Sequence, residues 1–199
     1  MILDIQDFYG TVAPISKGLF VFLRVGAIVS VAPLIGEKVI PARVRLGIAV
    51  LLSAVLAPLT DIEALPEQAI DFFLLASPEV VTGLAIGLAL RTFFLALHMA
   101  GSIAAQTTSL SQLMGNPSVD PVPALAQVLV IAGLALAAAF DLHLDILRLL
   151  AFSYEVIPIG VWPDPRLLLA ACIGNLSQAA SLAFSCAAPF VIGSLVYNL

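Results

Sequence analysis

Charge is scarce in this sequence. Asp, Glu, Lys and Arg make up 11% of its 199 residues, against 61% hydrophobic, and the mean hydropathy is +1.12. Soluble domains run near about 25% charged and 45–50% apolar, so the polar surface here cannot cover a water-facing globule. Basic residues are scarcer than acidic ones, and a net charge of −5 excludes the basic stripe that a nucleic-acid partner requires. Cysteine occurs twice, as Cys172 and Cys186 in one apolar stretch with no CxxC and no histidine near them. They read as buried free thiols. The opening MILDIQDFYG carries Asp4 and Asp7 and no basic residue, unlike a cleaved secretory signal, so the first apolar stretch is expected to stay in the mature protein.

Catalytic patterns are missing too. No G-x-S-x-G, H-E-x-x-H, P-loop or G-x-G-x-x-G occurs. His98 falls seven residues after Arg91, on roughly the same helix face. It reads as a hydrogen-bonded interior histidine more readily than as a proton relay. His143 stands between Asp141 and Asp145, but residues two apart on a helix point to different sides. These three do not converge on a metal. The expectation is a protein with no catalytic residues, no metal and no cofactor.

What is present is a series of five apolar segments, near residues 14–34, 45–59, 80–105, 122–140 and 167–199. A helical crossing takes about 20 apolar residues. The fourth segment fits, the second is short, and the fifth suffices for more than one crossing or a bent hairpin. Arg24 and Arg91 sit mid-way in the first and third segments, where an arginine facing lipid costs about 2.5–3.5 kcal/mol on insertion scales. Ala-Pro recurs at 13–14, 32–33, 57–58 and 188–189, and each proline favours a helix end or kink. Gly83 and Gly87 form a small-xxx-small face that admits a second helix closely. These features predict an all-α polytopic membrane protein of kinked, proline-broken helical hairpins packed on neighbours, a single membrane domain over residues 1–199.

The first two connections differ in charge. GEKVIPARVR carries Lys38, Arg43 and Arg45 against Glu37, whereas the next holds Asp61, Glu63, Glu67, Asp71 and Glu79 without a base. The positive-inside rule places the first in the cytoplasm and the second outside. DLHLDILRLLAFSY reads as an amphipathic continuation of the fourth segment at the membrane boundary. PIGVWPDP after it reads as a turn with Trp162 at the interface. QTTSLSQLMGNPSVDP, residues 106–121, is polar but uncharged up to Asp120 and lies between apolar segments. It reads either as an exposed loop or as backbone lining a lumen.

LRVGAIVSVAPLIGEKVIPARVRLGIAVLLSAVLAP, residues 23–58, resembles the N-terminal signature of the FliR family of flagellar and type III secretion export proteins. GLAIGLALR, Ala100-Gly101, the loop ending at Asn116-Pro117, FDLHL at 140–144 and IPIG at 157–160 follow in the family's order. No single motif is highly specific; the ordered set is. The resemblance implies a subunit of the export gate in the bacterial inner membrane, at the flagellar basal body or injectisome base. It implies FliP-like and FliQ-like partners and a channel for unfolded secretion substrates. It also implies that the loop at 106–117 plugs the channel, with Leu110, Leu113, Met114, Asn116 and Pro117 as candidates. In this chain Thr108, Ser111, Met114 and Asn116 depart from the family's glycine, aromatic and acidic residues there. Arg24, Gly83, Gly87 and Arg91 are the candidates for subunit-interface or lumen-facing positions. The chain stops at VYNL inside an apolar segment, where relatives continue through another apolar hairpin. The competing reading is a proton-coupled secondary transporter using Arg24, Arg91 and His98. The paired halves usual in such carriers are not discernible.

Overall fold

A computed structural model describes residues 5–33, 35–36, 40–60, 69–108 and 124–198. Six α-helices account for nearly all of them: α1 Ile5–Val31, α2 Ala42–Leu56, α3 Ala69–Thr108, α4 Ala124–Ala139, α5 Leu142–Val156 and α6 Pro165–Asn198. The chain is an all-α polytopic membrane protein. Three stretches, Ala42–Leu59, Ile70–Gln106 and Pro165–Gly193, are long and apolar enough to cross a bilayer, and α4 with α5 forms a fourth if the two count as one broken span.

The prolines divide into two groups. Pro33 follows α1, and Ala57-Pro58 forms a single 3-10 turn after α2, where the Thr60 hydroxyl donates to the Ala57 carbonyl at 3.1 Å. Pro14, Pro78 and Pro189 instead lie inside helices. At Pro78 the reason is visible. Proline has no N–H for the carbonyl four residues back, and the Ser77 hydroxyl donates to that carbonyl, of Leu74, at 3.3 Å. The helix therefore continues, and α3 starts eleven residues before the expected third segment. Asp71 falls in its first turn, where a carboxylate suits the positive end of the helix dipole. Glu79, expected in an acidic connection, belongs to the helix. The fifth segment is one helix, α6, running through Pro189. It opens on Asp164, whose carboxylate accepts from the Arg166 N–H at 2.9 Å as an N-cap, with Pro165 in the first helical position.

Contacts group the chain into two compact units. The first comprises residues 1–88 and 143–168, the second residues 89–142 and 169–199. In the first, Val21, Val25, Ile28 and Val29 of α1 pack with Ala49 and Leu56 of α2 and with Leu150 and Tyr154 of α5. The buried positions of α5, Ile146, Leu150, Ser153 and Tyr154, recur every three or four residues. DLHLDILRLLAFSY does not simply continue α4: the chain breaks at Asp141, which takes a positive φ of 57°, a conformation that Asp tolerates better than most residues.

In the second unit the core is alanine. Ala96 and Ala100 of α3 meet Ala179 and Ala183 of α6, so two small-xxx-small stripes bring backbones together. A side chain at Gly101 would collide with the backbone of Ala126 on α4. Much of α6 otherwise stays uncovered by the chain, including Leu167, Ile173, Leu176 and Phe184. Cys172 and Cys186 are free thiols, but they lie exposed on α6 rather than buried. Packing on this helix runs along Ala179, Ala183 and Ala187, and the cysteines lie off that line. His98, expected inside, is also exposed, because α3 turns Ala96 and Ala100 inward there instead.

Candidate functional site

Arginine in an apolar helix must find partners, and in the first unit Arg24 finds them in its own chain. Its side chain is fully buried. Nε donates to Glu79 Oε2 at 2.8 Å and Nη2 to Glu79 Oε1 at 3.0 Å. This is the two-pronged geometry in which guanidinium and carboxylate bind most strongly. Nη1 donates to the Ser153 carbonyl at 3.1 Å and approaches the Ser153 hydroxyl at 3.4 Å. The Tyr154 ring lies 4.1 Å from Arg24 Cζ, close enough for a cation–π attraction, and its hydroxyl donates to the Val21 carbonyl at 3.4 Å.

Glu79 is equally enclosed, with no exposed surface. Besides Arg24 it accepts from the backbone N–H of Gly160 at 2.9 Å. Gly160 has φ +80°, in the left-handed region that glycine enters without penalty. The turn it closes, with the Val161 N–H donating to the Pro158 carbonyl at 3.2 Å, thereby aims an amide at the carboxylate. One ion pair thus ties α1, α3, α5 and the turn after α5. Leaving either member unpaired would strand a charge in a low-dielectric interior. The arrangement holds helices in register. It offers no nucleophile beside a base.

Around the pair the helices approach closely. A Cβ at Gly83 would lie 2.5 Å from the Arg24 carbonyl oxygen and 2.8 Å from Ala27 Cβ. At Gly87 it would lie 3.2 Å from the Ile28 carbonyl oxygen. The small-xxx-small face therefore receives α1 of the same chain. Arg91, twelve residues after Glu79 on α3, belongs to the second unit and is half-buried. Asp145 and Arg148 form an exposed pair at 3.0 Å. Among the described residues no group of three His, Cys, Asp or Glu could hold a metal ion.

Leu110, Leu113, Met114, Asn116 and Pro117 lie outside the described residues, as do Lys38 and Glu63, which bear on orientation. Residues 106–108, read as the start of the loop, are the last turn of α3. Sequence reasoning missed Glu79, Ser153, Tyr154 and Gly160. The demand of Arg24 for a buried acid was a signal for Glu79, and it was masked by placing Glu79 in the acidic connection before the third segment.

Residues 15–199 match the family described as bacterial export proteins, family 1. The chain is 35% identical over 198 residues to the flagellar biosynthetic protein FliR of Caulobacter vibrioides, covering 98% of this chain and 79% of that protein. It is 32% identical over 168 residues to the flagellar biosynthetic protein FliR of Escherichia coli (strain K12), covering 81% of this chain and 61% of that protein. To the protein of that name from Pectobacterium carotovorum it is 29% identical over 154 residues, with coverages of 75% and 58%. The matched stretches thus span about three fifths of the length of the latter two relatives.

Proposed function

This chain belongs to family 1 of the bacterial export proteins, and from that membership we propose that it is a membrane subunit of the flagellar protein-export gate in the inner membrane. It forms part of the channel through which unfolded substrates cross, together with FliP-like and FliQ-like subunits. The observation that carries this reading is 35% identity to a flagellar biosynthetic protein over 98% of the chain.

The physics of the helices supports it. The apolar part of α3 has 37 residues, about 55 Å at 1.5 Å per residue, against a hydrocarbon core of about 30 Å. Such a helix is better accommodated by surrounding protein than by lipid alone. Arg24, which the transporter reading needs as a mobile functional group, is tied to Glu79 and Ser153, and this favours a structural role. The complete protein, tagged and extracted from membranes, is expected to co-purify with the FliP-like and FliQ-like subunits. Its gene deletion is expected to stop secretion of filament protein into the medium. Normal secretion without it would sink the proposal.

The segment at 109–117, after the end of α3, is proposed as the channel's plug. A conduit wide enough for a polypeptide must be closed at rest, and apolar constrictions close by excluding water. Leu110, Leu113 and Met114 would supply that closure. Deleting residues 109–117 is expected to leave assembly intact while raising membrane conductance to small ions, with Leu113→Gly plus Met114→Gly giving a milder leak. Assembly without any rise in conductance would make the segment structural.

A further inference from the structure

The second unit carries polar side chains where a membrane helix has least use for them. The apolar stretch Pro165–Gly193 of α6 holds Asn175, Ser177, Gln178, Ser181 and Ser185 about its middle. From Asn175 to Ser185 the helix rises about 15 Å, half the hydrocarbon thickness of about 30 Å. At about 100° per residue these side chains fall within an arc of about 160°. The packed line of Ala179, Ala183 and Ala187 lies outside that arc, as do the exposed Ile173, Leu176 and Phe184. From Gly174 to Pro189 the arc holds one large apolar side chain, Leu182, which packs on the alanine core. The helix thus has separate packed, apolar and polar faces. The chain leaves the polar one open, with Asn175 half-buried and the other four side chains exposed.

Serine in an apolar helix can hide its hydroxyl by donating to a carbonyl one turn back. Ser30, Ser53, Ser77, Ser102 and Ser153 all do so on the other helices. On the polar face of α6, no hydrogen bond to any described residue engages the side chains. Asn175 and Gln178, amides that both donate and accept, also line a recess of about 180 Å³ beside Thr92 and Phe93 of α3. It has room for several water molecules at about 30 Å³ each. Lipid tails satisfy none of these groups. One neighbouring helix covers only a narrow seam, well short of the whole arc. Water covers all of it. The face carries no charge, so it attracts neither acidic nor basic segments of a passing chain, while its hydroxyls and amides can exchange hydrogen bonds with peptide groups.

We infer that the polar face of α6 is wetted and forms part of the wall of the export conduit, a lining for extended polypeptide of either charge. This role rests on the export-gate function proposed above.

The test uses the complete protein in its own membrane, with Cys172→Ala and Cys186→Ala removing the native thiols. Single cysteines replace Ser177, Ser181 or Ser185, nearly isosteric changes, and Ile173→Cys and Phe184→Cys serve as controls on the exposed apolar face. N-ethylmaleimide crosses lipid but reacts with the thiolate, which forms only where water reaches the sulfur. The three serine positions are expected to react at least about tenfold faster than the two controls. A stalled export substrate, fused to a domain that resists unfolding, should slow the serine positions and leave the controls unchanged. Serine positions as slow as the controls would show a dry face covered by lipid or by a partner helix, and would overturn the inference. Fast reaction that a stalled substrate does not slow would also overturn it, since the water would lie outside the conduit. Secretion of filament protein in the same strains separates the two levels. Export with dry cysteines overturns the wetted face alone, whereas export that continues without the gene overturns the export-gate function and the conduit role with it.

Discussion

Replacing Glu79 with glutamine is expected to destabilise the protein by about 3–5 kcal/mol, the usual cost of removing one member of a buried ion pair. The substitution preserves shape and deletes only the charge opposite Arg24, whose guanidinium is fully buried against it. For a chain of this size that corresponds to a fall of roughly 6–20 °C in Tm, taking about 2–4 °C per kcal/mol. Arg24→Leu should do comparable harm by stranding the carboxylate, which keeps only the Gly160 amide. The double variant Arg24→Leu with Glu79→Leu should recover much of the loss, because matched apolar groups replace a buried pair at little cost. Thermal unfolding of the purified protein in one detergent measures all three. A Glu79→Gln variant melting with the parent protein would show that water reaches the pair.

Gly83→Ala is expected to destabilise by about 1–3 kcal/mol, as overpacking of a close contact does. Alanine is ordinarily favoured over glycine inside a helix by about 0.5–1 kcal/mol, so contact alone decides the sign. At Gly83 the new carbon would meet the Arg24 carbonyl oxygen at 2.5 Å, and backbone cannot swing aside as a side-chain tip can. Gly47 on α2 is the control, since a Cβ there meets nothing within 4 Å. Gly47→Ala should stabilise by about 0.5–1 kcal/mol. If both substitutions stabilise, α1 and α3 separate easily and the register set by the ion pair is soft. Since the obstructed atom belongs to Arg24, a shift of α1 also loosens the bond to Glu79, and the effects of Gly83→Ala and Glu79→Gln should not add.

Composition and apolar run length were enough to establish membrane residence and an all-helical fold. Neither depends on which residues touch, only on the need to cover apolar surface and to satisfy every backbone amide within lipid. The ordered motifs from Leu23 to Gly160 carried the family for the same reason: they are local strings. The partner of Arg24 was a different matter. Glu79 is 55 residues away and Ser153 is 129 away, and no periodicity in one helix reports what a distant helix brings to it. In the sequence Glu79 reads as part of a connection, whereas α3 runs through Pro78, where the Ser77 hydroxyl takes up the carbonyl that the missing N–H leaves. IPIG was visible as a motif, but not that Gly160 turns its amide toward a carboxylate. Gly83 and Gly87 announced a close helix approach, and only the tertiary structure decided that the helix is α1 of the same chain. Local strings thus determined the class and the family. The pairing of buried charges was decided by packing, because the energy that selects it exists only when distant segments exclude water together.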